Sequence, residues 1–304
     1  MYIAISLNNI DIPVNLWYTT PEVIKMEENF SKQLHVFQGD TDILEIHCKY
    51  ARGFDNARLG DEIHEHNEMI FMMSEGVELI SEYGQVRIPP YTLMIFPPNT
   101  YHKLVFNAAE EPYQRIVLAF LFIPELDALV KKKCTRLILL QNNKIFDLFM
   151  QLRLLFDTSY EKVEMDAYIK SIFAQILINI NTSDELSKSI MKPFVNPIVR
   201  DAVEYINANI EKQITVEQIA KHLMISYSCL TKLFKREMNV SVYKFILSKK
   251  LVHARKKILS GENPTQVAFD CGFNDYSGFY KQYKKMFGAS PSLSKASFRS
   301  NIVS

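Results

Sequence analysis

Two sets of residues in this sequence have types and spacings that could do chemistry. The first is His64-x-His66, with Glu68 close behind and His102 further along. Imidazole and carboxylate groups gathered in that way can hydrogen-bond a polar small molecule, or hold a divalent ion such as zinc, iron, nickel or manganese. The second set is basic and hydroxyl-bearing, and it occurs twice. Ser228, Thr231 and Lys232, followed by Lys235 and Arg236, are matched in form by Tyr276, Ser277, Tyr280 and Lys281, followed by Lys284 and Lys285. Cations neutralise phosphates and donate to guanine O6 or N7, while hydroxyls bond base edges less selectively. The first expectation is therefore a small ligand for one set and a polyanion for the other.

The elements that must carry the second set read as an internal repeat. Val216, Ile219, Ala220 and Leu223 follow the i, i+3, i+4, i+7 spacing of a buried helix face, and Thr215 with Gln218 predicts a capping box before it. After a break at Met224 to Ser226, a second helix is predicted on Leu230, Leu233 and Phe234. The same unit recurs with Asn263 as N-cap, Pro264 at the first helical position and Gln266 as cap-box partner. It continues through Val267, Ala268 and Cys271, turns at Gly272 and resumes at Phe279, Tyr283 and Phe287. The offset is 48 from Ala220 to Ala268 and 49 from Leu230 to Phe279. Two short helices with a tight turn make a helix-turn-helix, whose second helix enters the major groove by its N-terminal residues. Leu247, Leu251, Ala254 and Ile258 predict one helix from about 241 to 259 between the copies. A rigid connector of that kind would hold two readers for successive turns of the major groove, about 34 Å apart. Asn196-Pro197 caps a further helix bearing Val199, Ala202, Val203, Ile206 and Ile210.

Residues 226–245 and 267–291 resemble the DNA-binding domain of the AraC/XylS family of bacterial transcription regulators. The cluster Gly272-Phe273, Phe279, Phe287-Gly288 and Ser290-Pro291 carries that resemblance. It implies that Ser228, Thr231 and Lys232 in the first reader, and Tyr276, Ser277, Tyr280 and Lys281 in the second, face the bases. Lys235, Arg236, Lys284 and Lys285 then sit nearer the phosphates. Asn239 stands where the family usually has glycine, and Leu293-Ser294 replaces its closing Tyr-Arg.

Upstream the pattern is one of short strands: 68–73, 77–81, 85–88, 92–96, 103–106 and 115–122, with 34–37 and 43–50 before them. His64-x-His66, Gly76, Gly84, Phe96-Pro97-Pro98 and His102 resemble the sensory cupin barrel found N-terminal to many AraC-family DNA-binding domains, with Tyr91-Thr92 where a glycine is usual. The resemblance implies a carbohydrate-like effector held by His64, His66, Glu68 and His102. A metal-binding cupin places its glutamate three or four residues after the second histidine, near Ile70, whereas Glu68 is two after. No metal, cofactor or catalysis is therefore expected, and a metal-dependent cupin enzyme with a helical appendage is the alternative.

After Pro124, two amphipathic stripes, Ile145 to Leu155 and Met165 to Ile180, predict helices for dimerisation or coupling. The polar stretch 183–194 reads as a linker. The expected architecture is α+β in two domains: a cupin-like barrel over 1–124, a helical segment over 125–182, the linker, and an all-α double helix-turn-helix over 195–304. Charge follows the same division. Residues 191–304 hold 18 Lys+Arg against 8 Asp+Glu, leaving 17 against 26 for 1–190. The basic half points to DNA. Cys48, Cys134, Cys229 and Cys271 form no Cys-x-x-Cys pair, and neither a leader peptide nor a membrane span is evident. A cytoplasmic homodimer is expected, contacting promoter half-sites in successive major grooves, a sugar-like effector and, as an activator, RNA polymerase.

Overall fold

The computed structural model describes residues 62–106, 113–120, 128–130, 134, 137–182 and 196–293, together with the backbone of four earlier strands. Those strands are β1 (Ile5–Leu7), β2 (Ile10–Ile12), β3 (Phe30–Gln38) and β4 (Leu44–Gly53). Seven more follow: β5 (Asn67–Met72), β6 (Val77–Ser81), β7 (Gly84–Ile88), β8 (Thr92–Phe96), β9 (His102–Phe106), β10 (Tyr113–Phe120) and β11 (Ile138–Leu140). All are antiparallel. One sheet has the order β11-β8-β5-β10-β4-β3, a second β7-β6-β9, and β1 pairs only with β2. The two larger sheets share no strand, so the described residues form a sandwich rather than the closed barrel expected from sequence.

Alternation along β5, β8, β10 and β11 of the six-stranded sheet supplies two apolar faces. Met69, Phe71, Leu93, Ile95, Ile116, Leu118 and Phe120 point to one side and join the helical core. Ile70, Met72, Met94, Phe96, Tyr113 and Val117 point to the other and meet Val77, Leu79, Val86, Ile88, Leu104 and Phe106 of the small sheet. A sheet covered on both faces carries no polar alternation to read. The inverted residue at the β7–β8 turn is Tyr91, with φ 59, where the resemblance places glycine.

Helix α1 (Asn143–Leu155) is capped by Asn142, and α2 (Lys162–Thr182) follows. The stripe Ile169, Ile172, Phe173, Ile176, Leu177 and Ile180 is consumed within the chain, against α1 and the outer sheet face, with Phe120 4.8 Å from Phe173. That stripe therefore belongs to the intrachain core rather than to a dimer contact. The expected linker falls outside the described residues.

The C-terminal helices are α3 (Pro197–Ala208), α4 (Val216–His222), α5 (Tyr227–Met238), α6 (Val242–Leu259), α7 (Pro264–Asp270) and α8 (Tyr276–Phe287), closed by a 3-10 turn at Pro291–Leu293. Caps set their starts. Thr215 and Gln218 form the reciprocal capping box, and Asn263 accepts from Thr265 and Gln266 N–H. Gln266 departs from its expected role: its side chain reaches Asp270 instead of the cap. The repeat holds at the level of backbone handedness. Met224 and Gly272, 48 apart, are both left-handed, as are Asn239 and Gly288, 49 apart. Ile225 N–H donates to Ala220 and Phe273 N–H to Ala268, the same closing bond in each copy.

Candidate nucleic-acid interface and sensor cluster

The first reader, α5, is started by Ser226, whose hydroxyl accepts from Cys229 N–H; the second, α8, by Asp275, which accepts from Gly278 N–H. Leu230 and Phe234 anchor one helix, Phe279, Tyr283 and Phe287 the other, all in a common core. Burying those faces forces the opposite faces outward. Ser228, Lys232, Lys235 and Arg236 are exposed on α5, as are Ser277, Lys281, Lys284 and Lys285 on α8. Three sequence candidates are less free. The Thr231 hydroxyl donates back to the Tyr227 and Ser228 carbonyls, and Tyr276 and Tyr280 are half-buried, with the Tyr276 ring 5.9 Å from Phe279. The exposed cations and hydroxyls at the two N-terminal ends fit phosphate and base edges in the groove.

The two copies are tied together by Lys250 of α6. Its ammonium donates to the carbonyls of Lys212 (2.7 Å), Cys271 (2.9 Å) and Gly272 (3.3 Å). Gly272, at φ +71, passes so close that a Cβ would sit 2.7 Å from Gln213 N and 2.7 Å from Lys250 Nζ. Sequence reasoning placed Gly272 in the turn but gave Lys250 no role, since a lysine on a helix reads as solvated.

In the sandwich the structure brings His64, Glu68 and His102 together. Glu68 shares the inward face of β5 with Ile70 and Met72, and its carboxylate lies 3.0 Å from His102 Nε2 and 3.2 Å from His64 Nε2. His66 stacks on His64 at 3.9 Å. Three partners were not singled out from sequence: Glu62, 3.2 Å from His102 Nε2, and on β10 the buried Tyr113 and the half-buried Arg115. Glu62 shares the parity of His64, His66 and Glu68, a signal that alternation could have supplied. Tyr113 and Arg115 carried no such signal.

His102 is fully buried, stacked on Phe96 at 3.9 Å. Its Nδ1 faces the Thr100 carbonyl at 3.1 Å and its Nε2 faces two carboxylates, so both ring nitrogens meet acceptors and the ring is an imidazolium. Burial opposes that charge, but the hydrogen bonds to Glu62 and Glu68 outweigh it and push the pKa up to about 10. Burial also opposes the charge on each carboxylate. It is overcome by the His102 bond at Glu62, and by His64 and His102 at Glu68, which is held well below the usual range. Arg115 remains charged, because Tyr113 and the same carboxylates outweigh its burial. Two anions thus face two cations. Metal-capable atoms of Glu62, Glu68 and His102, and of His64, His66 and Glu68, do lie within 4.8 Å of one another. In the first set one oxygen of each carboxylate already faces the His102 Nε2 proton. By contrast, the buried Arg115 Nε and Tyr113 hydroxyl atoms, beside each other, meet no well-aligned hydrogen-bond partner among the described residues. The chemistry on offer is donation to an acceptor oxygen.

Residues 219–295 match the family described as a helix-turn-helix domain. The chain is 30% identical over 97 residues to the HTH-type transcriptional regulator ArgR of Pseudomonas aeruginosa, covering 32% of this chain and 30% of that one. It is 28% identical over 137 residues to the lactose operon transcription activator of Staphylococcus xylosus, covering 45% and 49%. The matches span about a third to a half of the length of these curated relatives. ToxT from Vibrio cholerae is a similar solved structure at 14% identity and a TM-score of 0.36, over 87% of this chain and 96% of that one. The named relatives are transcription regulators, not enzymes. Among the described residues no helix is long and apolar enough to cross a membrane.

Proposed function

We propose, from a C-terminal third that belongs to the AraC-type helix-turn-helix domains, that the chain is a cytoplasmic regulator of transcription that reads DNA sequence and responds to a small ligand. The observation that carries this reading is the duplicated exposed end: Ser228 and Lys232 in one copy, Ser277 and Lys281 in the other, on helices held in the same frame by the same caps. Lys235, Arg236, Lys284 and Lys285 flank them for the phosphates, while Thr231, Tyr276 and Tyr280 complete the base-facing set. The protein acts as a homodimer on half-sites in successive major grooves and meets RNA polymerase where it activates.

The sandwich is the sensor, a cupin-like domain over 1–124 coupled through 125–182 and a linker at 183–194 to the reader at 195–304. Its ligand contacts are His64, His66, Glu68 and His102, now joined by Tyr113 and Arg115. The interior charges already balance, so an uncharged ligand rich in hydroxyl or carbonyl oxygen fits better than an ion. A carbohydrate has that chemistry, and one relative is named for the lactose operon.

Two measurements test the reading. Labelled duplex from upstream of the chain's own coding sequence should bind more tightly than random duplex, with affinity falling steeply as salt rises. Equal affinity for both duplexes refutes sequence-specific regulation. Thermal unfolding against a panel of mono- and oligosaccharides, with and without chelator, tests the sensor: one sugar should raise the midpoint in both conditions, corresponding to about 2.7 kcal/mol of added stability at a hundredfold excess over its Kd. Loss of stability on chelation with no sugar effect would favour a metal.

A further inference from the structure

The segment 62–66 presents two faces. Glu62 and His64 turn into the sensor cluster, toward His102 and Glu68. Ile63 and Glu65, between and beyond them, turn the other way: Ile63 is buried in the core of the helix-turn-helix domain, and Glu65 pairs with Arg255 of α6 at 3.0 Å, both side chains buried. The neighbouring stretch 99–102 repeats the division. His102 lies in the cluster, whereas Tyr101 is in the helical core, its ring 5.3 Å from Phe245 and its hydroxyl donating to Met238 O at 3.3 Å. Asn99 N–H donates to His64 O at 2.7 Å, and Asn99 O accepts from Lys249 Nζ at 2.8 Å. Glu82, whose N–H donates to Tyr101 O, pairs its carboxylate with Lys249.

On the far side of these contacts stand the C-terminal ends of both readers. Gln85 donates to Glu237 O at 2.5 Å and Tyr101 to Met238 O, at the end of α5. The Arg255 guanidinium lies 4.4 Å over Phe287, the last residue of α8. The DNA-facing N-terminal ends stay exposed. One surface of the sensor thus holds the rear of both readers while leaving their fronts open.

Resting on the regulator reading above, we propose that segments 62–66 and 99–102 form a two-sided relay, and that Lys249 and Arg255 are the positioning residues through which the state of the histidine cluster reaches both reader helices. Buried ion pairs suit that role. They add little to stability when intact, but an unpaired partner left buried is costly, so the contact is either made or released as a unit. A ligand that draws Glu62, His64 or His102 from its present partners displaces Ile63, Glu65 and Tyr101 with them, because they are adjacent residues of the same backbone.

The test is amide hydrogen exchange on the full chain, which needs neither the natural ligand nor the operator. His102→Gln perturbs the cluster directly and also removes a charge that bears on Glu82. It should change exchange at 238–246, on the reader side, by about tenfold. In a Glu82→Gln/Lys249→Met background, and separately in Glu65→Gln/Arg255→Met, the same substitution should change those amides less than about twofold, while Lys249→Arg should preserve transmission. Equal factors in all backgrounds, or no change at 238–246 in the first place, overturn the relay. Either paired background decides the matter if the other does not fold. A chain that transmits but shows no preference for its own upstream DNA keeps the relay and loses the regulator reading, and the converse result does the opposite.

Discussion

Gly272→Ala should be among the most damaging single substitutions in the reader domain. Gly272 sits at φ +71, where a Cβ costs about 1–2 kcal/mol in backbone strain alone. The new methyl would also stand 2.7 Å from Gln213 N, 2.8 Å from Lys212 C and 2.7 Å from Lys250 Nζ. Two of these atoms are backbone, so the connection before α4 must move, and the ammonium must leave carbonyls it now holds at 2.7 and 2.9 Å. Losing such a charged, buried bond costs about 1.5–3 kcal/mol, for a total of about 3–5 kcal/mol. In a domain of about 100 residues that lowers the melting midpoint by roughly 15–30 °C. Circular dichroism at 222 nm against temperature and urea measures it. The control is Gly278→Ala, inside α8, where the nearest atoms to a Cβ are those of the Asp275 carboxylate at 3.2–3.6 Å; it should stay within about 1 kcal/mol of the parent. Met224, the counterpart of Gly272 in the first copy, is left-handed and exposed, so Met224→Gly should be neutral or stabilise by up to about 1 kcal/mol. If Gly272→Ala costs less than about 1 kcal/mol, or no more than Gly278→Ala, the close packing of the two copies through Lys250 is wrong.

Lys232→Ala and Lys281→Ala should each relax preference at about one base pair by about 1–3 kcal/mol, read by competition between single-base operator variants. Lys235→Ala and Lys284→Ala should instead weaken all duplexes alike and reduce the slope of log K against log salt by about 0.9 each, seen in anisotropy titrations. Because the folded-state pKa of His102 is raised from 6.5 to about 10, its contribution to stability is full below about pH 6.5 and is lost as pH rises through about 10. Glu62 and Glu68 have lowered values, so theirs is present above about 4.5 and lost on acidification. Urea midpoints at pH 6.5 and 9.5 should therefore fall for the parent chain and fall less for His102→Gln.

The reader domain was legible because its signals are local. Thr215 with Gln218, Asn263 with Pro264, and the offset of 48 to 49 residues each fix a backbone feature within one turn, and Asn239 takes the left-handed conformation that it tolerates in place of glycine. The sandwich was legible only as a succession of strands. Its closure was not, because which edges pair depends on contacts far apart in sequence, such as β11 with β8 and β4 with β10. The three residues of β11 are too short to separate from a turn, and the stripe of α2 is the same whether it meets a sheet or a second chain. For the sensor, spacing supplied the histidines but not Arg115 or Tyr113, because a charge on an inward strand position reads as an edge until both sheets are seen.

Helix α6 shows where residue type misleads most. Its apolar residues alone describe a stripe with a solvated back, and Lys249, Lys250 and Arg255 would be assigned to water. All three are buried. Lys250 turns toward the loop after α7 and ties the two copies to each other, whereas Lys249 and Arg255 turn toward the sensor and tie both copies to it. Burial pulls the Lys249 ammonium and the Glu82 carboxylate each toward its neutral form; their mutual charge and hydrogen bond resist, helped at Glu82 by the Tyr101 backbone and the charge of His102. Such a pair contributes little net stability, so stability alone does not account for it; a hydrophobic pair would hold the domains at least as well. What the ionic pair adds is a contact that can be released. A helix buried along most of its length, with cations directed to both domains, leaves the connector little freedom to move without breaking one set of bonds. Under the proposed relay, the element that fixes the spacing of the readers is therefore also the element through which the sensor would move them.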